Sequence, residues 1–291
     1  LVSRLWPILL LIGIFLWLTW SLVPLLLVAG AVPVLLAARA LGRSLPPAAG
    51  RRTTLALLTT PVILILAITA FGGASWTAWG GLVLTLSLAA AGIVLSFPLG
   101  VLLALGRRSS LPAARYLSIA YIEFFRGVPL IALLFMGFVM LSFFLPPGFA
   151  TPSVVIRSIV IFTIFTAAYV AEIVRGGLQS VHSGQMEASQ ALGMSPVRTT
   201  FFIVLPQALR NVIPALVGQF ISLFKDTSLV AILGLTEILR LSQIITQQEA
   251  FRGQGLITET LIFAAVIYWV GSFTMSRESQ NLEKRLGVGE R

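Results

Sequence analysis

The residues able to do chemistry are few, and most of them sit inside apolar sequence. The 291 residues include ten Asp and Glu, twenty Lys and Arg, one histidine and no cysteine. Lack of cysteine excludes disulfides, thiolate nucleophiles and Cys-held zinc or iron–sulfur centres. A single histidine, His182, excludes a multi-histidine metal site and reads as a surface residue. Hydrolysis within a membrane would need a dyad or a metal cluster, and no close pair of acids stands in an apolar run to build one. What remains is isolated charge. Glu123 and Arg126 lie three apart in the apolar stretch that begins at Tyr116, so on a helix they share a face and can pair. Pro129 follows, where a helix bends and frees backbone groups toward a cavity. Lys225 and Asp226 close another apolar run, with Gln219 in its middle. Ionisable groups in a membrane are costly and mark functional sites by default. The alternative for both charged pairs is that they hold helices together or snorkel to an interface. Gln219 reads equally as interhelical glue or as pore lining. Glu172 and Arg175, also three apart, read as an architectural pair.

These groups must be positioned by helices in a bilayer. Hydrophobic residues make up 57% of the chain and charged residues 10%, with a mean hydropathy of +0.99. Soluble domains carry about 25% charged residues, so a water-soluble enzyme is excluded. The net charge of +10 does not point to nucleic acid, because the arginines fall between long apolar runs, as in the loops of a membrane protein. The sequence predicts an all-α polytopic membrane protein. Leu5–Ala38 contains no charged residue over 34 positions; as one helix it would measure about 51 Å, against a hydrocarbon core of about 30 Å. A hairpin near Pro24 fits better. Further spans are expected at Thr53–Phe71, Leu82–Gly106, Tyr116–Leu145, Ser153–Val174, Thr199–Phe224 and Ile257–Ser276, giving seven or eight in all. Thr227–Thr236 is too short to cross and reads as re-entrant. The loops with Arg39, Arg43, Arg51 and Arg52, with Arg107, Arg108 and Arg115, and with Arg175 and Arg198 fall on one side, together with Arg4 and the C-terminal tail. The positive-inside rule places that side, and both termini, in the cytoplasm. Trp76 and Trp79 suit an interface belt on the opposite side. Organisation divides near residue 72: extra N-terminal helices over 1–72, a core over 73–285 and a tail over 286–291.

The most informative segment is the loop RGGLQSVHSGQMEASQALGMSPVRTT at residues 175–200, followed by FFIVLPQALRNVIPAL. Good helix formers fill Gln185–Leu192, and Gly193 stands where a helix stops. Ser195 then reads as an N-cap, with Pro196 at the first helical position. The second helix is expected to run directly into the membrane at Phe201. Two short helices joined at a glycine on a membrane surface can be gripped from below. The spacing Glu187-Ala188-Ser189, then Gly193, then Ile203-x-Leu205-Pro206, over about residues 176–206, resembles the EAA loop of bacterial ABC-importer permeases, with Ser189 in place of the third-position Ala. The segments around Tyr121–Leu130, Ala171–Gly177 and Phe224–Leu229 resemble the polar amino acid branch, which serves histidine, glutamate, glutamine and arginine.

The resemblance covers about residues 80–285 and implies a type I importer permease with a five-helix core. It also implies a division of labour. The EAA loop docks into a cleft on a separate ATPase dimer, which holds ATP and Mg, and this chain binds no cofactor. The sequence agrees: neither lysine stands in a phosphate loop G-x-x-x-x-G-K-[ST], since Lys225 follows Phe224 and Lys284 follows Glu283. Glu187 is the expected polar contact to the ATPase and Gly193 the hinge. A second permease, giving a heterodimer, and a periplasmic amino-acid-binding protein complete the expected partners in the bacterial inner membrane. A transported amino acid is a zwitterion, so Glu123, Arg126, Gln219, Lys225 and Asp226 are the candidate pathway residues. A secondary carrier or channel could use the same charges, but nothing in that class calls for a loop with EAA spacing.

Overall fold

The computed structural model describes residues 80–146 and 151–287, all within one compact unit, Ser75–Arg291. The expected spans at Leu5–Ala38 and Thr53–Phe71, and Trp76 and Trp79, lie outside the described residues. So does the division near residue 72. The described residues are helical. Their elements are α1 (Gly81–Arg107), α2 (Pro112–Gly127), α3 (Leu130–Phe135), a π-turn (Met136–Met140), α4 (Leu141–Phe144), α5 (Val154–Ser180), α6 (Ser183–Ala191), α7 (Pro196–Thr199), a second π-turn (Thr200–Val204), α8 (Leu205–Asn211), α9 (Ile213–Asp226) continued by a 3-10 turn (Thr227–Leu233), α10 (Ile238–Ile245) and α11 (Ile257–Leu286). Among the described residues, four stretches are long and apolar enough to cross a membrane: Gly81–Arg107, Val154–Ser180, Ile213–Leu233 and Ile257–Lys284. The pair α2 and α3 makes a fifth if counted as one broken span.

That broken span differs from the continuous helix expected over Tyr116–Leu145. The two pieces meet at 101°. Pro129 starts α3 without an N–H to give back to α2, and it drives Val128 into an extended conformation, φ −97° and ψ 135°. α2 therefore crosses the end of α1, with Ser118 so close over Gly106 that a Cβ there would lie 2.3 Å from its Oγ.

Two further expectations are corrected. The span is Ile213–Leu233, not Thr199–Phe224. The helix through Leu205–Asn211 stops at Val212, and Pro214 begins the next one. Residues 227–233 are not a separate piece, as a re-entrant segment would be; they continue α9 as a tighter 3-10 turn ending at Gly234. Lys225 and Asp226 thus sit within a span rather than at its end.

The bundle is built on α1 and α5. Hydrocarbon gives apolar side chains no drive to leave it, so helices associate through close packing of small residues. A Cβ on Gly100 would lie 2.5 Å from Val170 Cγ1 and 2.9 Å from the Ala167 carbonyl oxygen. Ala104, Ala167, Ala168 and Ala171 are fully buried along the same seam. Two apolar clusters divide the core. One joins Leu84, Leu88, Phe162, Leu223 and Val230. The other joins Ile122, Val174 and Leu178 to Val204, Leu205 and Ala208, and so ties the segment after the loop to the base of α5.

Candidate coupling loop and charged sites

α5 runs to Ser180, and the chain turns through Val181 into α6. His182 caps α6: its exposed ring accepts the Gly184 N–H at Nδ1, 3.1 Å away. α6 stands out from the protein. Glu187 and Ala188 are exposed, and Glu187 makes no ion pair among the described residues. Gly193 ends the helix at φ +77°. The Gly193 N–H donates to Gln190 and the Met194 N–H to the Ser189 carbonyl, at 2.9 and 3.1 Å. No atom lies within 4 Å of where a Gly193 Cβ would be, so glycine is required by backbone handedness rather than by space. Ser195 accepts the Arg198 N–H at 3.5 Å, with Pro196 at the start of α7. The widened turn at Thr200–Val204 follows from Pro206, whose ring crowds the carbonyl four residues back and cannot bond it.

Ile203 is half-buried, Leu205 buried and Pro206 exposed. The I-x-L-P stretch is therefore not the entry to a span, as expected from sequence. It is part of a helical strut lying against the base of α5. Two side-chain bonds tie the strut back: Gln207 Nε2 donates to Gln185 Oε1 at 3.3 Å, and Asn211 Nδ2 to Ser180 Oγ at 3.0 Å.

Glu123 and Arg126 do not pair with each other. Arg107, at the end of α1, takes Glu123 at 3.0 Å and Glu172 at 3.4 Å, while Arg126 lies 3.9 Å from Glu172 and over the Tyr169 ring. Arg175 makes the expected i,i+3 contact to Glu172, through both nitrogen positions of its fork. The result is one cluster of three arginines and two glutamates where α1, α2 and α5 meet, at the loop end of the bundle. Glu172 is its centre.

Gln219, Lys225 and Asp226 lie on α9. Lys225 is exposed, as are Ala215 and Gly218, while Gln219 and Asp226 are half-buried. Adjacent residues on a helix diverge by about 100°, so Lys225 and Asp226 point to different neighbours rather than forming one paired site.

Residues 96–288 match the family of binding-protein-dependent transport system inner membrane components. The chain belongs to that family. It is 51% identical over 211 residues to the inner membrane amino-acid ABC transporter permease protein YhdY of Escherichia coli K12, and 44% identical over 209 residues to the glutamate/glutamine/aspartate/asparagine transport system permease protein BztC of Rhodobacter capsulatus. Each alignment takes 72% of this chain, but 57% and 48% of those relatives; the chain spans about half their length. It covers 92% of the probable glutamine ABC transporter permease protein GlnP of Bacillus subtilis at 36% identity, using 71% of its own length. A solved amino acid ABC transporter with histidines superposes with a TM-score of 0.62 at 32% identity, covering 70% of this chain and 92% of that one. The inward-facing MetNI methionine ABC transporter, at 21% identity and a TM-score of 0.50 over 68% of this chain and 91% of that one, shares the fold. This binding-protein-dependent transport component is a multi-pass inner-membrane protein, helical throughout its described residues.

Within this transport component, one buried group went unnoticed in the sequence. Glu237 is fully buried and caps α10, accepting the Leu239 and Arg240 N–H groups at 2.7 Å each and the Tyr268 hydroxyl at 3.0 Å. Beside it the Gly81 N–H donates to the Thr236 carbonyl at 2.7 Å and the Ile238 N–H to Thr85 Oγ1 at 3.2 Å. The starts of α1 and α10 and the middle of α11 are thereby tied at one point. Burial pushes the Glu237 carboxyl above the ordinary carboxylate range, against the pull of its three donors. Arg157 was also missed: it donates to the Phe138 carbonyl inside the first π-turn at 2.6 Å and to the Pro152 carbonyl at 2.9 Å. A lone acid between two apolar runs was the available signal for Glu237. Nothing local in the sequence points to the partners of Arg157.

Proposed function

We propose that this chain is the permease subunit of an ATP-driven amino acid uptake system. The observation that carries the reading is the projecting pair of helices with EAA spacing, set on a helical strut at one end of an importer-type bundle. In this reading the loop end faces the cytoplasm, and both termini lie on that side. A dimer of separate ATPase subunits, holding ATP and Mg, grips α6 around Glu187, Ala188 and Ser189. The turn at Gly193, Ser195 and Pro196 and the strut through Ile203, Leu205 and Pro206 carry its motion to α9. A second, non-identical permease and a periplasmic amino-acid-binding protein complete the system, and residues 1–72 supply extra helices.

The substrate pathway is assigned to the α9 face of Ala215, Gly218, Gln219 and Lys225, with Asp226 at its edge. A lysine exposed in mid-span does not face hydrocarbon at tolerable cost, so that face turns to water or to another protein. Glu123 and Arg126 are assigned a different task, within the charged cluster that braces the loop end. The amino acid's carboxylate and ammonium groups need complementary charge or dipoles, and Lys225 and Gln219 offer them.

The test is recovery of the tagged chain from its native host in mild detergent. An ATPase and a second permease should travel with it, and ATP hydrolysis should rise with an amino acid and its binding protein. Reproducible recovery of the folded chain alone would overturn the reading in favour of a channel or secondary carrier.

A further inference from the structure

Ser189 is the one position where the loop departs from the E-A-A pattern it resembles. It is also the only buried residue of α6. α7 buries a single residue too, Thr199. The two hydroxyls are hydrogen-bonded to each other at 3.0 Å. Ser189 Oγ also lies 2.8 Å from the Met186 carbonyl. A hydroxyl has one proton to give, so Ser189 donates to Met186 and accepts from Thr199. Their residues are 4% and 3% exposed, so water does not compete for either group.

We propose that the Ser189–Thr199 hydroxyl pair is the joint that fixes the coupling helix to the strut behind it, so that the two move as one. Both are positioning residues, and the proposal rests on reading α6 as the ATPase contact. The physical case is one of transmission. Between α6 and α7 the chain passes through a glycine with left-handed backbone, a turn that swivels unless something spans it. The Gln185–Gln207 bond spans it at 3.3 Å but is exposed and exchanges with water. A dry, directional bond between the only two buried residues of the paired helices holds their angle under load. A family-pattern alanine at position 189 would leave the Thr199 hydroxyl without its acceptor.

The experiment uses two readouts. In proteoliposomes containing the whole assembled complex, amino acid moved per ATP hydrolysed is compared among wild type, Ser189→Ala, Thr199→Val and the double variant. These substitutions are conservative in volume, and complexes are matched for ATPase content, so a folding defect cannot mimic lost coupling. Ser189→Ala strands a buried donor and should lower the ratio about three- to tenfold. Thr199→Val leaves Ser189 bonded to Met186 and should cost less. The double variant should be no worse than Ser189→Ala, since one interaction is removed only once. Normal ratios in both single variants, or losses that multiply in the double variant, would overturn the joint. The second readout does not depend on an ATPase. The chain has no cysteine, so spin labels at Gln190→Cys and Arg210→Cys report the angle between α6 and the strut. Their distance distribution should broaden in Ser189→Ala, and an unchanged distribution would refute the joint. If wild type transports with no ATPase present, the importer reading falls instead, while the spin-label result still decides the joint.

Discussion

Replacing Gly193 with alanine separates a conformational requirement from a steric one. A Cβ at this position meets nothing within 4 Å, so no clash enters the calculation. What alanine loses is the φ of +77°, a region that costs an L-residue about 1–2 kcal/mol. At about 1.4 kcal/mol per tenfold change, the native turn between α6 and α7 would be depleted roughly 5- to 30-fold relative to alternatives. Asparagine tolerates left-handed backbone far better than alanine, so Gly193→Asn should lose only a few-fold. The assay is amino acid uptake and ATP hydrolysis measured together on the reconstituted complex. Uptake per ATP is expected to fall in the order glycine, asparagine, alanine, with the membrane bundle unchanged by thermal unfolding in detergent, because the turn lies outside both apolar clusters. Equal behaviour of the asparagine and alanine variants would refute the backbone argument. Normal coupling in Gly193→Ala would refute the role assigned to the turn.

Three other perturbations test the surrounding structure. Glu172→Gln removes the anion shared by Arg107, Arg126 and Arg175 and leaves three arginines with Glu123. Because these side chains are partly exposed, the loss should be about 1–2 kcal/mol and salt-sensitive, seen as a lower unfolding temperature at low ionic strength that narrows at high. Gly100→Val places atoms where Val170 and the Ala167 carbonyl already stand; an overpacked α1–α5 seam should cost about 3 kcal/mol or more, read as loss of the monodisperse species in size-exclusion chromatography. Glu237→Gln leaves one oxygen for three donors that now share two and should cost about 1–3 kcal/mol. Since burial raises the native pKa of Glu237, the protonated form stabilises the fold at low pH. That contribution is lost as pH climbs from the free-glutamate range through the raised native value. Wild type should therefore lose stability across that window while Glu237→Gln stays flat, and parallel profiles would refute the assignment.

Three of the spans that cross the bundle were legible because hydrocarbon imposes a length and a composition, and α1, α5 and α11 meet both. The caps of the loop were legible because Ser195, Pro196 and Gly193 act on their own backbone. The misreadings share a different cause. Residues 200–209 are apolar apart from Thr200 and Gln207, as Ile213–Leu233 largely is, and hydropathy does not distinguish a helix lying on the end of a bundle from one crossing it. The break shows only in the polar pair Arg210-Asn211, exposed one turn before Pro214. For Glu123 and Arg126, i,i+3 spacing promised a pair, yet both were taken by residues 16 and 46 positions away, Arg107 and Glu172. Local spacing sets which contacts a helix permits. Inside a membrane, where an unpaired charge is costly, the partner is whichever opposite charge the packing brings nearest. The small residues that pack α1 against α5 bring Arg107 and Glu172 together, so the charged cluster is a consequence of the seam. Glu237 follows the same logic only in part: the Leu239 and Arg240 N–H groups belong to the helix it caps, whereas the Tyr268 hydroxyl reaches it from α11, 31 positions away, an approach that no sequence pattern around residue 237 records.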